Sequence, residues 1–272
     1  FHKQVADYET RDRLGAEPAQ ALIAEYKALN SFEEFTSKLA EFELAGKPNL
    51  MPFGVAPDFM DATINVLWAD SLGIILPDTT YYEEGHEKGA ELLKTWRESQ
   101  EALLPKFGFS DEEIKDLLDK RLELDAKVAK YVLSNEEGSE YAKLYHPYEW
   151  ADFTAFVPEL PLDDFFTAIL GQIPDNIIVP EERFWQAAKD IYSEDNWELL
   201  KATLILKAAG AYTAFLSDEI RILAGAYSRA LSGTPQAQNQ EKAAYNLAQG
   251  YFNQALGLWY AGEKFSPEAK AD

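Results

Sequence analysis

Apolar residues recur along this chain mostly at three- and four-residue spacing, the period of an α-helix with one buried face. Pro18 suits a first helical turn and introduces a helix over 19–29. Ser31 with Glu34 has the form of a capping box ahead of Phe35, Leu39 and Phe42. Those positions predict two short helices folded as a helical hairpin. Longer helices are predicted over 83–104 and over 111–132, the second opened by Ser110 and Glu113. Helical spacing resumes over 195–216, 218–231 and about 235–264, the last started at Thr234-Pro235. At ~1.5 Å per residue that final helix would be ~40 Å long.

Two stretches break the helical period. Over 52–77, Phe53-Gly54-Val55, a turn near Ala56-Pro57-Asp58 and the alternation Thr63-Ile64-Asn65-Val66-Leu67-Trp68 predict a β-hairpin. Over 147–180, prolines mark an irregular region with short helices, one at 162–170, and an apolar run Ile177-Ile178-Val179. The expected fold is mainly α, a multi-helical domain with one β-hairpin. The pattern starts and stops within elements, with a new helix start at Ser266-Pro267, which predicts a piece of a longer polypeptide.

Composition narrows the classes. The chain has 272 residues, 47% apolar and 13% aromatic, enough to bury roughly 75% of its unfolded surface in one large domain or two small ones. Twenty-five basic against 47 acidic residues give a net charge of −22, a field that repels nucleic acid and anionic membranes. No apolar run approaches the ~20 residues that span a bilayer. With no cysteine and no Asn-x-Ser/Thr sequon, the composition favours the cytoplasm over secretion, while Phe1 gives no initiator Met from which targeting could be read.

Candidate chemistry is sparse. The histidines are His2, His86 and His146, and the nearest approach to a zinc helix, His86-Glu87-Lys88-Gly89-Ala90, places Ala90 where H-E-x-x-H needs its second ligand. The expected catalytic residues and metal ligands within the chain are therefore none. There is no cysteine nucleophile, no G-x-S-x-G elbow and no phosphate-binding glycine loop. Carboxylate pairs such as Asp163-Asp164 read as solvated helix faces at this acidity. Leu256-Gly257-Leu258-Trp259-Tyr260 echoes one tetratricopeptide unit, but no second copy follows.

Three blocks together resemble the neprilysin type of zinc metallopeptidase, and within it the bacterial oligopeptidase O branch. They are Asp12-Arg13-Leu14-Gly15-Ala16-Glu17-Pro18, then Asp70 through Leu76-Pro77-Asp78-Thr79-Thr80-Tyr81-Tyr82, then Tyr251 through Trp259-Tyr260 with Phe265, Ala269 and Lys270. Ser71 stands where that family usually has Gln, and Ile75 where it usually has Gly. The resemblance implies that residues 1–272 form the N-terminal helical domain, the non-catalytic half of a two-domain chambered peptidase. It implies zinc in the parent enzyme but none on this chain, the enzyme's own catalytic domain as partner, and an oligopeptide as substrate. Phe53, Trp68 and Tyr82 are the candidate chamber-lining residues, with burial in the core as the commoner alternative for such side chains. The alternative is a helical interaction scaffold without an enzymatic parent.

Overall fold

The computed structural model describes residues 1–266 and 269, so Pro267 and Lys270, which belong to the expected helix start and the third block, lie outside the described residues. The chain forms two compact units, Ala19–Ala211 and Phe1–Pro18 with Tyr212–Asp272. In chain order the helices are α1 (His2–Val5), α2 (Tyr8–Leu14), α3 (Glu17–Lys27), α4 (Phe32–Ser37), α5 (Leu39–Leu44), α6 (Glu87–Leu103), α7 (Asp111–Val128) and α8 (Asn135–Gly138). They continue with α9 (Trp150–Thr154), α10 (Leu162–Leu170), α11 (Glu182–Gln186), α12 (Trp197–Gly210), α13 (Asp218–Ala224), α14 (Ala226–Ser232) and α15 (Gln240–Lys264). The strands are β1 (Phe53–Pro57), β2 (Asn65–Ala69), β3 (Pro147–Glu149) and β4 (Asn176–Ile178).

In the unit Ala19–Ala211, α12 is the central element. Trp197, Leu199, Leu200, Ala202, Thr203, Leu204, Ile205, Ala208 and Ala209 are all buried, leaving almost no solvent face, as expected of a helix that is apolar nearly all round. It packs on α7, whose buried row is Ile114, Leu117, Leu118, Leu124 and Val128. The predicted capping box of α7 is complete: the Ser110 hydroxyl accepts from Glu113 N and the Glu113 carboxylate accepts from Ser110 N. At α4 only half of the expected box forms. Ser31 accepts from Glu34 N, but the Glu34 carboxylate takes Asn30 N instead of Ser31 N.

The predicted hairpin is present, with Gly54 opposite Trp68 and Val55 opposite Leu67. Its turn falls later than the sequence suggested. β1 runs through Pro57, and the reversal over 58–64 is held by Asp58 and Asp61 side chains, which accept from Met60 N and Thr63 N. The hairpin is half of a four-stranded sheet of order β1-β2-β4-β3, with β2 parallel to β4 and β3 antiparallel to β4. Two of its strands lie in the region expected to be irregular. Each has three residues, too few to show a two-residue period, and Pro147 stands at a strand start, where its missing N–H costs least. One sheet face packs on aromatic rings: Phe53 stacks on Trp185 at 5.3 Å and meets Phe153 and Phe166 edge-on. Trp185 Nε1 donates to Ala69 O and Asp70 O, pinning the end of β2.

In the other unit, Val5, Tyr8 and Ala244 form a small core with Phe215 and Leu247 against it. Arg11 is buried there, and among the described residues no carboxylate pairs with it. Its guanidinium donates to Val5 O, Ala214 O and Leu216 O, and lies 4.1 Å from the Tyr8 ring. The final helix starts at Gln240 under an Asn239 cap, not at Pro235, and is interrupted at Phe252, whose φ is −119°. The helix expected over 218–231 is two helices that meet at Gly225.

Candidate functional site

The segment 70–82 is irregular, so its position depends on side chains reaching it from elsewhere. Asp125, on the buried stripe of α7, is 1% exposed and accepts from Ile75 N at 2.9 Å and from the Tyr82 hydroxyl, while Arg121 one turn earlier pairs with it at 3.1 Å. The Tyr82 oxygen in turn accepts from Leu76 N at 3.1 Å. Burial pushes the Asp125 carboxyl above its usual range despite the opposing Arg121 charge and Tyr82 hydrogen bond, and burial also pushes the Tyr82 phenol up. Asp78 caps the turn that follows: its carboxylate accepts from Thr80 N, Thr80 Oγ1 and Asn135 N, which holds it below the usual range. Where Ile75 replaces the glycine of the family pattern, its main-chain N–H still has a defined acceptor.

The His86-Glu87 pair sits at the start of α6, where the His86 ring is the cap. Its Nδ1 accepts from Gly89 N at 3.0 Å and the ring stacks on Tyr81 at 4.7 Å. Gly89 is fixed by proximity, because a Cβ there would lie 2.0 Å from Tyr81 O. His146 spans Val179 O and the Glu182 carboxylate. Zinc needs three or four converging ligands. Among the described residues no three His, Cys, Asp or Glu side chains converge.

A groove of about 460 Å³ opens on the sheet face opposite the aromatic core. Gly54 and Ala56 of β1 give it depth beside Trp68 of β2, and Phe59 closes over Trp68 with ring centroids 4.7 Å apart. Tyr141 and Leu144 form the far wall. Two carboxylates line it. Asp70 has an exposed surface, yet the protein around its carboxyl desolvates it and pushes its pKa up. Glu181 is likewise raised by burial, against hydrogen bonds from Leu133 N and the Ser71 hydroxyl that lower it. Of the three residues expected to line a chamber, Trp68 borders this groove, Phe53 points into the opposite, aromatic face, and Tyr82 belongs to the Asp125 cluster. Asp125 and Arg121 carry a sequence signal, two charged residues four apart on the apolar stripe of a helix. Glu181 and Phe59 carried none, since only the sheet brings them together.

α15 presents a second kind of surface. Tyr245, Leu256, Leu258, Trp259, Tyr260 and Phe265 after its end are exposed, Leu258 by 77% and Trp259 by 61%. An apolar stripe this dense on one helix marks an interaction surface.

The chain is 68% identical over 272 residues to a Streptococcus gordonii protein named for a zinc metalloproteinase in the scaA 5′ region, covering all of this chain and 48% of that protein. It is 34% identical to a neutral endopeptidase of Lactococcus lactis, covering all of this chain and 43% of the relative. It thus spans about half the length of the relatives it matches. The structure of PepO from Lactobacillus rhamnosis superposes with a TM-score of 0.90 at 26% identity, over 100% of this chain and 43% of that one. The zinc metalloprotease ZMP1 of Mycobacterium tuberculosis in its open state, at 19% identity and a TM-score of 0.82 over 99% of this chain and 42% of that one, shares the fold. The family profile runs from residue 1 to residue 272 without remainder, and with that end-to-end match the chain belongs to peptidase family M13.

Proposed function

We propose that this chain is the substrate-enclosing helical half of a zinc-dependent metalloendopeptidase that hydrolyses oligopeptides. The observation that supports it most is the family match over residues 1–272 together with coverage of only 43–48% of relatives named as neutral endopeptidase and zinc metalloproteinase. In this reading the metal and the hydrolytic groups belong to the other half. A rigid wall contributes enclosure, which selects substrates by size and excludes water without donating a reacting atom.

The exposed aromatic stripe of α15 is the surface for that catalytic half, since six large apolar side chains on and just after one helix are a costly face to leave in water. Trp68, which lines the groove over the hairpin, is the candidate lining residue that meets substrate. The test compares the full-length protein with residues 1–272 alone. Elemental analysis of the full-length protein gives one zinc per chain, with oligopeptide cleavage abolished by a chelator, and the isolated chain gives neither. Stoichiometric zinc or peptide cleavage by residues 1–272 overturns the reading, as does full-length protein that cleaves with no bound metal.

A further inference from the structure

The groove over the β1–β2 hairpin has a chemistry that enclosure alone does not require. Its walls are apolar and aromatic, from Phe59, Trp68, Tyr141 and Leu144, and its charged lining residues are both acidic, Asp70 and Glu181. No lysine, arginine or histidine lines it. Among the described residues nothing donates a hydrogen bond to the Asp70 carboxylate, and Glu181 spends one oxygen on Leu133 N. At about 460 Å³ the groove has the size of a site for one or two side chains and is too open to be a packing defect. Two carboxylates without a third ligand do not suit a divalent metal. They do suit an organic cation on an aliphatic stem, whose methylenes lie along aromatic walls while its charge reaches the carboxylates and the ring faces.

We propose that this groove is a subsite for a basic side chain, lysine or arginine, of an oligopeptide. The inference rests on the reading of the chain as half of an oligopeptidase and names the substrate class that this half selects. Charge complementarity argues for that occupant: an acidic side chain would meet two like charges, Asp70 without a hydrogen-bond donor among the described residues and Glu181 only partly satisfied by Leu133 N and Ser71, whereas a basic one pairs with them. The protein's net charge of −22 draws the same class of peptide toward it.

The test uses the full-length peptidase and two peptides of one sequence, differing only in lysine against norleucine at the position varied along the peptide. The readout is the ratio of their kcat/KM values, which cancels any loss of folded enzyme because that loss lowers both alike. The wild-type protein favours lysine by about tenfold at one position, the scale of a single charge-assisted contact in a partly wetted groove. Asp70→Asn and Glu181→Gln each bring the ratio toward one. Gly54→Leu is an independent variant: a Cβ at Gly54 meets nothing within 4 Å, so the added side chain starts in open groove space, and it too collapses the ratio. A wild-type ratio near one at every position, or a tenfold ratio that all three variants leave intact, overturns the subsite while peptide cleavage itself stands. Absence of cleavage of either peptide by the wild-type protein overturns the peptidase reading and the subsite with it.

Discussion

Replacing Asp125 tests whether the segment 70–82 is held by one buried carboxylate. Asp125→Ala removes the acceptor of Ile75 N and Tyr82 and the partner of Arg121, itself only 15% exposed. Removing one member of such a cluster takes the charge partner from a guanidinium that keeps a long bond to Gly73 O and removes the carboxylate that serves two donors, a cost of about 3–5 kcal/mol. Asp125→Asn is milder. Its carbonyl keeps Oδ1, which serves both Ile75 N and Arg121, but its amide then faces a Tyr82 oxygen that already accepts from Leu76 N. One charge-assisted bond is lost, about 1.5–3 kcal/mol, partly offset because the neutral amide is cheaper to bury. Urea unfolding followed by tryptophan fluorescence reads both changes. With a slope of about 2–3 kcal/mol per molar urea, the alanine variant moves the midpoint down by about 1–2 M and the asparagine variant by less. A double-mutant cycle of Asp125→Asn with Tyr82→Phe gives a coupling of about 0.5–3 kcal/mol. An alanine variant shifted by under about 0.3 M at unchanged slope, or an additive cycle, would refute the reasoning.

Gly89→Ala destabilises the protein although alanine is the better helix former by about 1 kcal/mol, because its Cβ would sit 2.0 Å from Tyr81 O; Gly250→Ala, with nothing within 4 Å, stabilises instead, and thermal melts of the two variants must move in opposite directions. Arg11→Met, which leaves Val5 O, Ala214 O and Leu216 O without their donor, exposes amides of residues 1–18 to hydrogen exchange before those of Ala19–Ala211, and uniform loss of protection would contradict it. Glu113 and Glu137 are held below their usual range, Glu113 chiefly by the Lys27 hydrogen bond and Glu137 by the Ser134 N–H. Each contributes stability that is fully present above its unfolded value near 4.5 and is lost as pH falls through its folded value. The Glu113→Gln, Glu137→Gln variant therefore melts below wild type at pH 7, by a few tenths of a kcal/mol per site, and level with it near pH 2; an equal deficit at both pH values would show the carboxylate charge to be irrelevant. Leu258→Glu with Trp259→Glu leaves the fold of residues 1–272 unchanged by circular dichroism yet weakens association with a separately produced catalytic half, and unaltered association would remove α15 from that interface.

Where the chain carries its own local instructions, the sequence was legible. α10 runs over 162–170 as its spacing indicates, and the cap at Ser110 sets the start of α7. The hairpin followed from alternation between Thr63 and Trp68, although its turn moved because Pro57 is tolerated at the strand's end and Asp58 and Asp61 supply the turn bonds. β3 and β4 stayed hidden because each is three residues long and gains its identity only by pairing, Tyr148 with Ile177 and Trp68 with Ile178. The helix starts at Glu87 and Gln240 were displaced from the predicted ones because capping was decided by His86 and Asn239, not by the more obvious Glu83 and Pro235. The site was less readable still. Tyr82, a candidate for the chamber wall, is bonded to Asp125, 43 residues on, while Asp70 and Glu181 share a groove across more than a hundred residues of sequence.

Arg11 has a consequence in time as well as in space. Two of the three carbonyls it grips belong to residues 214 and 216, so the unit containing Phe1–Pro18 cannot close until the whole of Ala19–Ala211 has left the ribosome. At about 5–20 residues per second that interval is about 10–40 s. The intervening unit has its own core and can condense meanwhile, so residues 1–18 are buried only after the unit that follows them in the chain. Val5 and Tyr8 stay exposed through that interval, and a pause in translation before residue 212 prolongs their exposure without affecting the unit already folded.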